Sequence, residues 1–506
     1  MGVVHAMLNG ASWLVPTIGG VTHTDYPPLY YWLAAASVKA FGWLLPTHDA
    51  ARLASGFLMI ITFAYLYKSA NKLFDARAGR IAVALLIGSL GLLLRAHEMN
   101  PELGALAGMS VAIYGLTRIR FEARKGGVTA GIGAVIMALS VGLVAAFIVP
   151  AIAIAMLVIL NDKKNRAFVN GIAILLLVLV IGAAIYPLML YANNALSFTL
   201  LIDAVLGAPI LDSAARQSIN PSYFLLLLPW YALPTLPMAL WLWRRDRKIV
   251  RERIELALPL ATFVVSLIWL SLFREARDAA ALTLLLPLAL AGAHALDRIP
   301  KGAASFIDWL GLVIFGLAAL ALWLYWTAAV VGTPEAAARA VARAAPGFTF
   351  TFMWLPTLIA AALTVVWLYA VARAHRNNRR AIVNWAAGIT LLWVLLNLLG
   401  LPAVDHVRSY REPISQISQR IAVAPSCVIG ENIGKPQRAM FDYFANIQFE
   451  TPNLVTNTGG VKSCEWLIIQ GIKTTAPAVT TSWQLIWEGA RPAERLEQFR
   501  LYRRAQ

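Results

Sequence analysis

Long apolar runs separated by short polar breaks fill this chain from about residue 50 to residue 400. They lie at roughly 50–70, 81–95, 103–118, 129–160, 169–189, 222–243, 255–272, 279–297, 306–331, 349–372 and 381–400. Each approaches or exceeds the ~20 residues that cross a ~30 Å hydrocarbon core as a helix. Segment 129–160 is long enough for two short helices, so the pattern predicts about twelve crossings. The runs are continuous rather than alternating, which excludes a β-barrel. Segment 27–45 is apolar too, but it carries Lys39 and follows Pro27-Pro28, so it predicts a helix lying at the interface.

After residue 401 the pattern changes. Glu412-Pro413 opens an amphipathic helix with Ile414, Ile417 and Ile421 on one face. Short strand-like runs follow at Cys427-Val428-Ile429, Trp466-Leu467-Ile468-Ile469 and Trp483-Gln484-Leu485-Ile486-Trp487, with a helical stretch at Arg438–Phe444. The expected fold class is an all-α polytopic membrane protein with a C-terminal α/β soluble domain. Residues 1–48 form a juxtamembrane segment, 49–401 the transmembrane region and 402–506 the soluble domain.

Composition agrees. The chain is 59% hydrophobic and only 14% charged, more apolar than a soluble chain of 506 residues needs. A net charge of +17 would admit nucleic acid as a partner, but the bases bunch in short loops and no basic-aromatic surface pattern appears. That bunching is how membrane proteins set their orientation. One set of loops holds Lys68, Lys72, Arg77 and Arg80; Arg118, Arg120, Arg124 and Lys125; Lys163, Lys164 and Arg166. It continues with Arg244-Arg245-Asp246-Arg247-Lys248, Arg298, Lys301, Arg373, Arg376, Arg379 and Arg380. The alternate set holds only Arg95, Arg216, Arg274, Arg277, Arg339 and Arg343. The rich set belongs in the cytoplasm. Asp25, the His97–Glu102 cluster, the 190–221 loop, Arg274–Asp278 and the tail are then expected outside, in the periplasm of a bacterial inner membrane. Nucleotides are scarce there.

Both cysteines, Cys427 and Cys464, lie in the tail. An even pair in an oxidising compartment often bridges; two small buried hydrophobes would read the same way.

Candidate chemistry sits in three polar segments. Asp25-Tyr26-Pro27-Pro28-Leu29-Tyr30-Tyr31-Trp32 holds an acid between stiff prolines and interfacial aromatics. Arg95-Ala96-His97-Glu98-Met99-Asn100-Pro101-Glu102 places ionisable groups beside hydrocarbon, where they are costly and mark function by default. A solvated loop that snorkels its charges is the other reading, and Pro101-Glu102 also suits a helix start. In Phe273-Arg274-Glu275-Ala276-Arg277-Asp278 two guanidiniums suit a phosphate, unless they pair with Glu275 and Asp278. No Walker loop or zinc-binding motif is present, and His5, His23, His48 and His97 are too scattered to argue a metal.

Trp13, Gly19-Gly20-Val21 and Asp25-Tyr26-Pro27-Pro28-Leu29-Tyr30-Tyr31-Trp32 resemble the first periplasmic segment of polyprenyl-phosphate-sugar-dependent glycosyltransferases. These are the aminoarabinose transferases that modify lipid A and, more distantly, the protein O-mannosyltransferases. Ala50-Ala51-Arg52-Leu53 resembles the family segment that opens the next helix, Pro101-Glu102 its second acidic position, and the tail its outer domain. The resemblance implies a GT-C fold and inverting transfer of a hexosyl- or pentosyl-type sugar. The donor is a polyprenyl phosphate and the acceptor a lipid A-like lipid or another envelope lipid or protein. It implies no cofactor, no metal and no nucleic-acid partner.

Catalytic roles fall to Glu102 and Asp25, and substrate contacts to Tyr26, Arg52, Arg95, His97, Glu98, Arg274 and Arg277. Three departures stand out. The family begins with a transmembrane helix and a catalytic acid, and this chain starts just after that acid, so either the N-terminus is cut short and the main base lost with it, or the protein is degenerate; the outside placement of residues 1–48 favours the first. Tyr26 occupies the position of a lysine assigned to the donor phosphate. The family's Lys-Gly-Pro appears as Val141-Gly142-Leu143. The rivals are a transporter or flippase of lipid-linked sugars, and a ligase or polymerase of lipid-linked glycans. A transporter more often shows repeated halves and mid-helix charges.

Overall fold

The computed structural model describes residues 1–160, 165–193, 205–206, 220–296, 298–373, 378–421, 427–450, 464–474 and 482–504. Lys163, Lys164, Arg216, Arg376 and most of the 190–221 loop lie outside the described residues.

The first elements are α1 (Gly2–Leu8), the two-stranded hairpin β1 (Thr17–Ile18) and β2 (Val21–Thr22), and α2 (Leu29–Phe41). Gly19 and Gly20 turn the hairpin at φ values of 54° and 81°, a backbone that side chains disfavour. The Asp25–Pro28 segment follows at once, and Pro28 caps α2.

The bundle is built from α3 (Thr47–Leu73), α4 (Ala76–Ile87), α5 (Leu90–Arg95), α6 (Glu102–Ile119), α7 (Ala123–Val141), α8 (Leu143–Ala146), α9 (Ile148–Ile159) and α10 (Arg166–Ala192). It continues with α11 (Tyr223–Tyr231), α12 (Thr235–Arg245), α13 (Ile254–Phe273), α14 (Leu282–Leu296), α15 (Lys301–Val331), α16 (Glu335–Ala344), α17 (Trp354–Arg373) and α18 (Asn378–Leu395). Caps fix several boundaries. Asp75 accepts from the Ala78 amide at the start of α4, and Asn165 from the Phe168 amide at the start of α10.

By length and composition, seven helices among the described residues can cross a membrane, or eight if α11 and α12, bent by 105°, form one span. That falls short of the expected twelve. Segment 129–160 does break, at Gly142 with φ 100°, but α8 and α9 are short. The shortfall at α6 and α7 has a packing reason. Their contact is lined with glycine and alanine, which lowers hydropathy and lets the backbones meet: a Cβ on Gly115 would lie 2.3 Å from the Ala130 nitrogen. In consequence α6 is buried over nearly its whole length.

The bundle has two distinct ends. At one, Phe74 beyond α3 stacks on His294 of α14 with ring centres 4.4 Å apart, and Arg245 of α12 donates to the Arg298 carbonyl at 3.2 Å. These belong to the base-rich set of loops. At the other end lie the 95–102 and 274–278 segments, joined by ion pairs described below.

The last span does not stop at 401. It passes through a π-turn, Leu396–Gly400, into α19 (Leu401–Arg408), and α20 (Arg411–Ser418) follows. The soluble core therefore begins at Tyr410. Its elements are β3 (Val428–Glu431), α21 (Lys435–Ala445), β4 (Phe449–Glu450), β5 (Trp466–Ile472), β6 (Trp483–Gly489) and β7 (Glu497–Arg504). The sheet order is β4-β3-β5-β7-β6, parallel on the β4–β3–β5 side and antiparallel around β7. Ile414, Ile417 and Ile421 pack with Phe441, Ile468, Phe499 and Leu501 in its core. Cys427 and Cys464 are bonded, with Cα atoms 5.0 Å apart at the starts of neighbouring parallel strands.

The soluble domain sits on the N-terminal segment. A Cβ on Gly2 of α1 would lie 2.6 Å from the Ala439 Cβ of α21, and His5 meets the Tyr443 ring edge-on at 5.1 Å.

Candidate active site

Asp25 leaves the hairpin beside His23, whose amide donates to the Pro16 carbonyl at 2.8 Å. One Asp25 oxygen is 3.7 Å from His23 Nδ1, and the other is 2.9 Å from Lys435 Nζ at the start of α21. Burial holds the His23 imidazole below its usual pKa. Trp32 Nε1 donates to the Trp13 carbonyl at 2.7 Å, so the two tryptophans of the family-like segment tie the loop to α2.

Tyr26 points toward the 274–278 segment. Its hydroxyl accepts from Arg277 Nη1 at 3.4 Å, and Arg277 also reaches Glu275 at 2.5 Å. Burial and the nearby Glu102 charge hold the phenol above its usual pKa, opposed by Arg274 and Arg277. Asp25, Tyr26, Glu102, Arg274 and Arg277 thus form one electrostatic cluster.

Glu102 starts α6, where Asn100 Oδ1 accepts its amide at 3.0 Å. Its carboxylate is 4% exposed and pairs with the Arg274 guanidinium, itself 10% exposed. Arg274 also donates to the Val141 carbonyl at 3.3 Å, at the α7–α8 break. Breaking such a buried pair from one side typically costs ~3–5 kcal/mol, because the remaining charge is stranded. Glu102 therefore does more than favour the helix dipole: it fixes Arg274.

Arg95 carries the next link. It holds Glu98 and Asp278 at 2.7 Å each, and the Asp278 carbonyl accepts from the Tyr231 hydroxyl at 2.8 Å. The pairing of the 274–278 knot is thus divided: Arg277 takes Glu275 within it, while Arg274 and Asp278 pair across to Glu102 and Arg95.

Arg52 and His97 lie elsewhere. They line a mainly apolar cavity of about 550 Å³ between α3, α5 and α18, with Ser55, Trp393 and Asn397. His97 stacks on Trp393 at 4.3 Å, and burial holds its imidazole below the usual pKa. Ser55 ties the cavity wall to α2 and to the 95–102 segment, bonding Tyr30 Oη at 2.7 Å and donating to the Glu98 carbonyl at 2.9 Å. Glu102 and Arg277 do not line this cavity.

Two participants escape sequence reasoning. Lys435 is 410 residues from Asp25, and nothing local to either residue signals the contact. Tyr231 lies inside an apolar run, where its hydroxyl has no pattern to mark it.

The arrangement sets a cluster of ion pairs near a mainly apolar cavity. Residues 25–191 match the family described as dolichyl-phosphate-mannose-protein mannosyltransferase. The chain is 27% identical over 426 residues to the undecaprenyl phosphate-alpha-4-amino-4-deoxy-L-arabinose arabinosyl transferase of Pseudomonas aeruginosa strain UCBPP-PA14, covering 81% of this chain and 72% of that one. The PAO1 strain's enzyme of the same name is 27% identical over 429 residues. ArnT from Cupriavidus metallidurans, solved with undecaprenyl phosphate bound, superposes with a TM-score of 0.69 at 15% identity, over 99% of this chain and 92% of that one. Its apo structure superposes equally well. The fold is GT-C. Over most of its length the chain is thus similar to membrane glycosyltransferases of the aminoarabinose-transferase type, and residues 25–191 to the mannosyltransferase family.

Proposed function

We propose that the chain transfers a hexosyl- or pentosyl-type sugar from a polyprenyl-phosphate donor to a lipid A-like or other envelope acceptor at the periplasmic face of the bacterial inner membrane. One observation carries this reading: Asp25 ahead of α2, Glu102 at the start of α6 and the guanidiniums of Arg274 and Arg277 at the α13–α14 joint surround Tyr26, and the segment leading into Glu102 borders an apolar cavity through Ala96 and His97. A polyprenyl phosphate is an apolar chain ending in an anion, and the site has that polarity.

In the transfer, an acceptor oxygen bonds to the anomeric carbon while the bond from that carbon to the phosphate oxygen breaks. The lipid phosphate leaves with the bonding pair. Arg277, 53% exposed, is placed to stabilise that charge, and Arg274 adds to the field from its buried position. Asp25 is the accessible carboxylate that takes the acceptor's proton; Glu102 positions Arg274. Arg52 and His97 sit where the prenyl chain enters, and Arg95 with Glu98 holds the 274–278 segment. The donor is already activated, so no nucleotide or other cofactor is required.

The periplasmic placement rests on the loops. Asp25, Glu98, Asp278 and the soluble domain share one end, and the base-rich loops share the other.

The test is transfer by the purified full chain in liposomes. The donor is undecaprenyl phosphate-linked 4-amino-4-deoxy-L-arabinose, the one named for the Pseudomonas relatives, with lipid A as acceptor and a mass shift as readout. A mass increase of one sugar is expected. Movement of the intact donor between leaflets without transfer would overturn the reading in favour of a flippase.

A further inference from the structure

Three cations lie around Asp25 and Tyr26, and they differ in what they can reach. Arg274 is buried and engaged with Glu102 and the Val141 carbonyl. Arg277 is half exposed and shared between Glu275 and the Tyr26 hydroxyl. Lys435 comes from the soluble domain, is 61% exposed, and touches the site through Asp25, which is 39% exposed. Arg277 and Lys435 thus approach the adjacent residues Tyr26 and Asp25 from two different parts of the fold. His23 feels the charges of Asp25, Lys435 and Arg277 together, which places the three in one field.

Holding the domains together does not account for Lys435. The soluble domain already docks through close packing of Gly2 on Ala439, the His5–Tyr443 ring contact and Gly19 against Arg438. An exposed ion pair adds little to such an interface. Its position matters more than its energy. It sets an ammonium on a flexible four-carbon stem beside the one accessible acid of the cluster, and Lys435 is the most exposed of the three cations.

We propose that Lys435 binds the phosphate of the lipid donor, turning from Asp25 to the anion, so that the soluble domain supplies one of the site's cations. The inference rests on the polyprenyl-phosphate reading above. Asp25 holds the ammonium at 2.9 Å. When the phosphate arrives, the ammonium has a stronger partner, and the Asp25 carboxylate is released to face the acceptor. The membrane helices and the soluble domain then form the site jointly.

The experiment measures binding of undecaprenyl phosphate, and of the uncharged undecaprenol as control, to the purified full chain in detergent. The wild type should prefer the phosphate. Lys435→Ala should weaken undecaprenyl phosphate binding about tenfold or more, the order a charge-assisted hydrogen bond contributes, and leave undecaprenol binding unchanged. Lys435→Arg should restore most of the preference. A purely structural lysine would not move the ratio between the two lipids. If Lys435→Ala unfolds or undocks the domain, Lys435→Arg and Lys435→Gln, checked for wild-type melting, decide by the same ratio. Equal ratios in wild type, Lys435→Ala and Lys435→Gln would overturn the assignment of Lys435 alone. No preference for phosphate in the wild type would instead overturn the lipid-phosphate reading and this inference with it.

Discussion

Glu102 and Arg274 form a buried ion pair across 172 residues of sequence, joining the first turn of α6 to the segment between α13 and α14. The pair fixes where the neighbouring Arg277 can reach, because the two arginines are only three positions apart. Removing one partner strands a charge in a dry site. We expect Arg274→Ala to lower stability by about 3–5 kcal/mol and to show it as a reduced melting temperature in detergent. Glu102→Leu combined with Arg274→Met should recover most of the stability and none of the transfer. Full recovery of transfer in that double variant would remove the pair from the mechanism.

Arg277 is expected to behave in the opposite way. Its side chain is half exposed, so Arg277→Ala should leave melting unchanged. Transfer should fall by about 10²–10³, the usual effect of losing one charged contact to a transition state. Steady-state rates with the lipid-linked sugar check this, and a wild-type rate would contradict it.

The disulfide should be quantitative. Alkylation without reductant should modify neither Cys427 nor Cys464, and reduction should release two thiols. The bridge closes a loop with a sequence separation of 37 residues. Replacing both cysteines by serine should therefore lower the soluble domain's stability by about 2–4 kcal/mol.

The two ends of the bundle should differ in accessibility. A cysteine introduced at Arg247 should resist an impermeant reagent in intact cells, and one at Glu412 should react. Labelling in the reverse sense would invert the orientation.

The pH response follows from His23 and His97, both buried enough to hold fewer protons folded than unfolded. Their contribution to stability is complete above the unfolded value of about 6.5 and is lost as pH falls through the folded values. The melting temperature should fall between pH 7 and pH 5. His97→Phe, which keeps the stacking on Trp393, should reduce that fall, as followed by thermal melts across the range.

The sequence alone determined what depends on solvent and on local pattern. Apolar runs must leave water, so the helical membrane region was legible from hydropathy. Clustered bases mark one membrane face, and the soluble domain's helices and three of its strands follow from local periodicity. The cysteine pair was legible as a possibility, because both residues open apolar runs.

The strand β7, paired on both sides, was not legible. It reads Glu497-Gln498-Phe499-Arg500-Leu501-Tyr502-Arg503-Arg504, and its charges are tolerated because Arg500 and Arg503 find carboxylates on neighbouring strands or loops. The glycine-rich α6 and α7 were legible as apolar segments, but their burial was not. Their burial comes from close backbone contact rather than hydropathy, and closeness between two helices is not a property of either one.

The polar segments that supply the site could be named from sequence, since charge beside hydrocarbon is costly wherever it occurs. Which charge meets which could not. Arg274 meets Glu102, Asp278 meets Arg95, and Lys435 meets Asp25, each across more than 170 residues. Ion pairing depends on distance in space, and only the packing of the helices and the docking of the soluble domain set those distances.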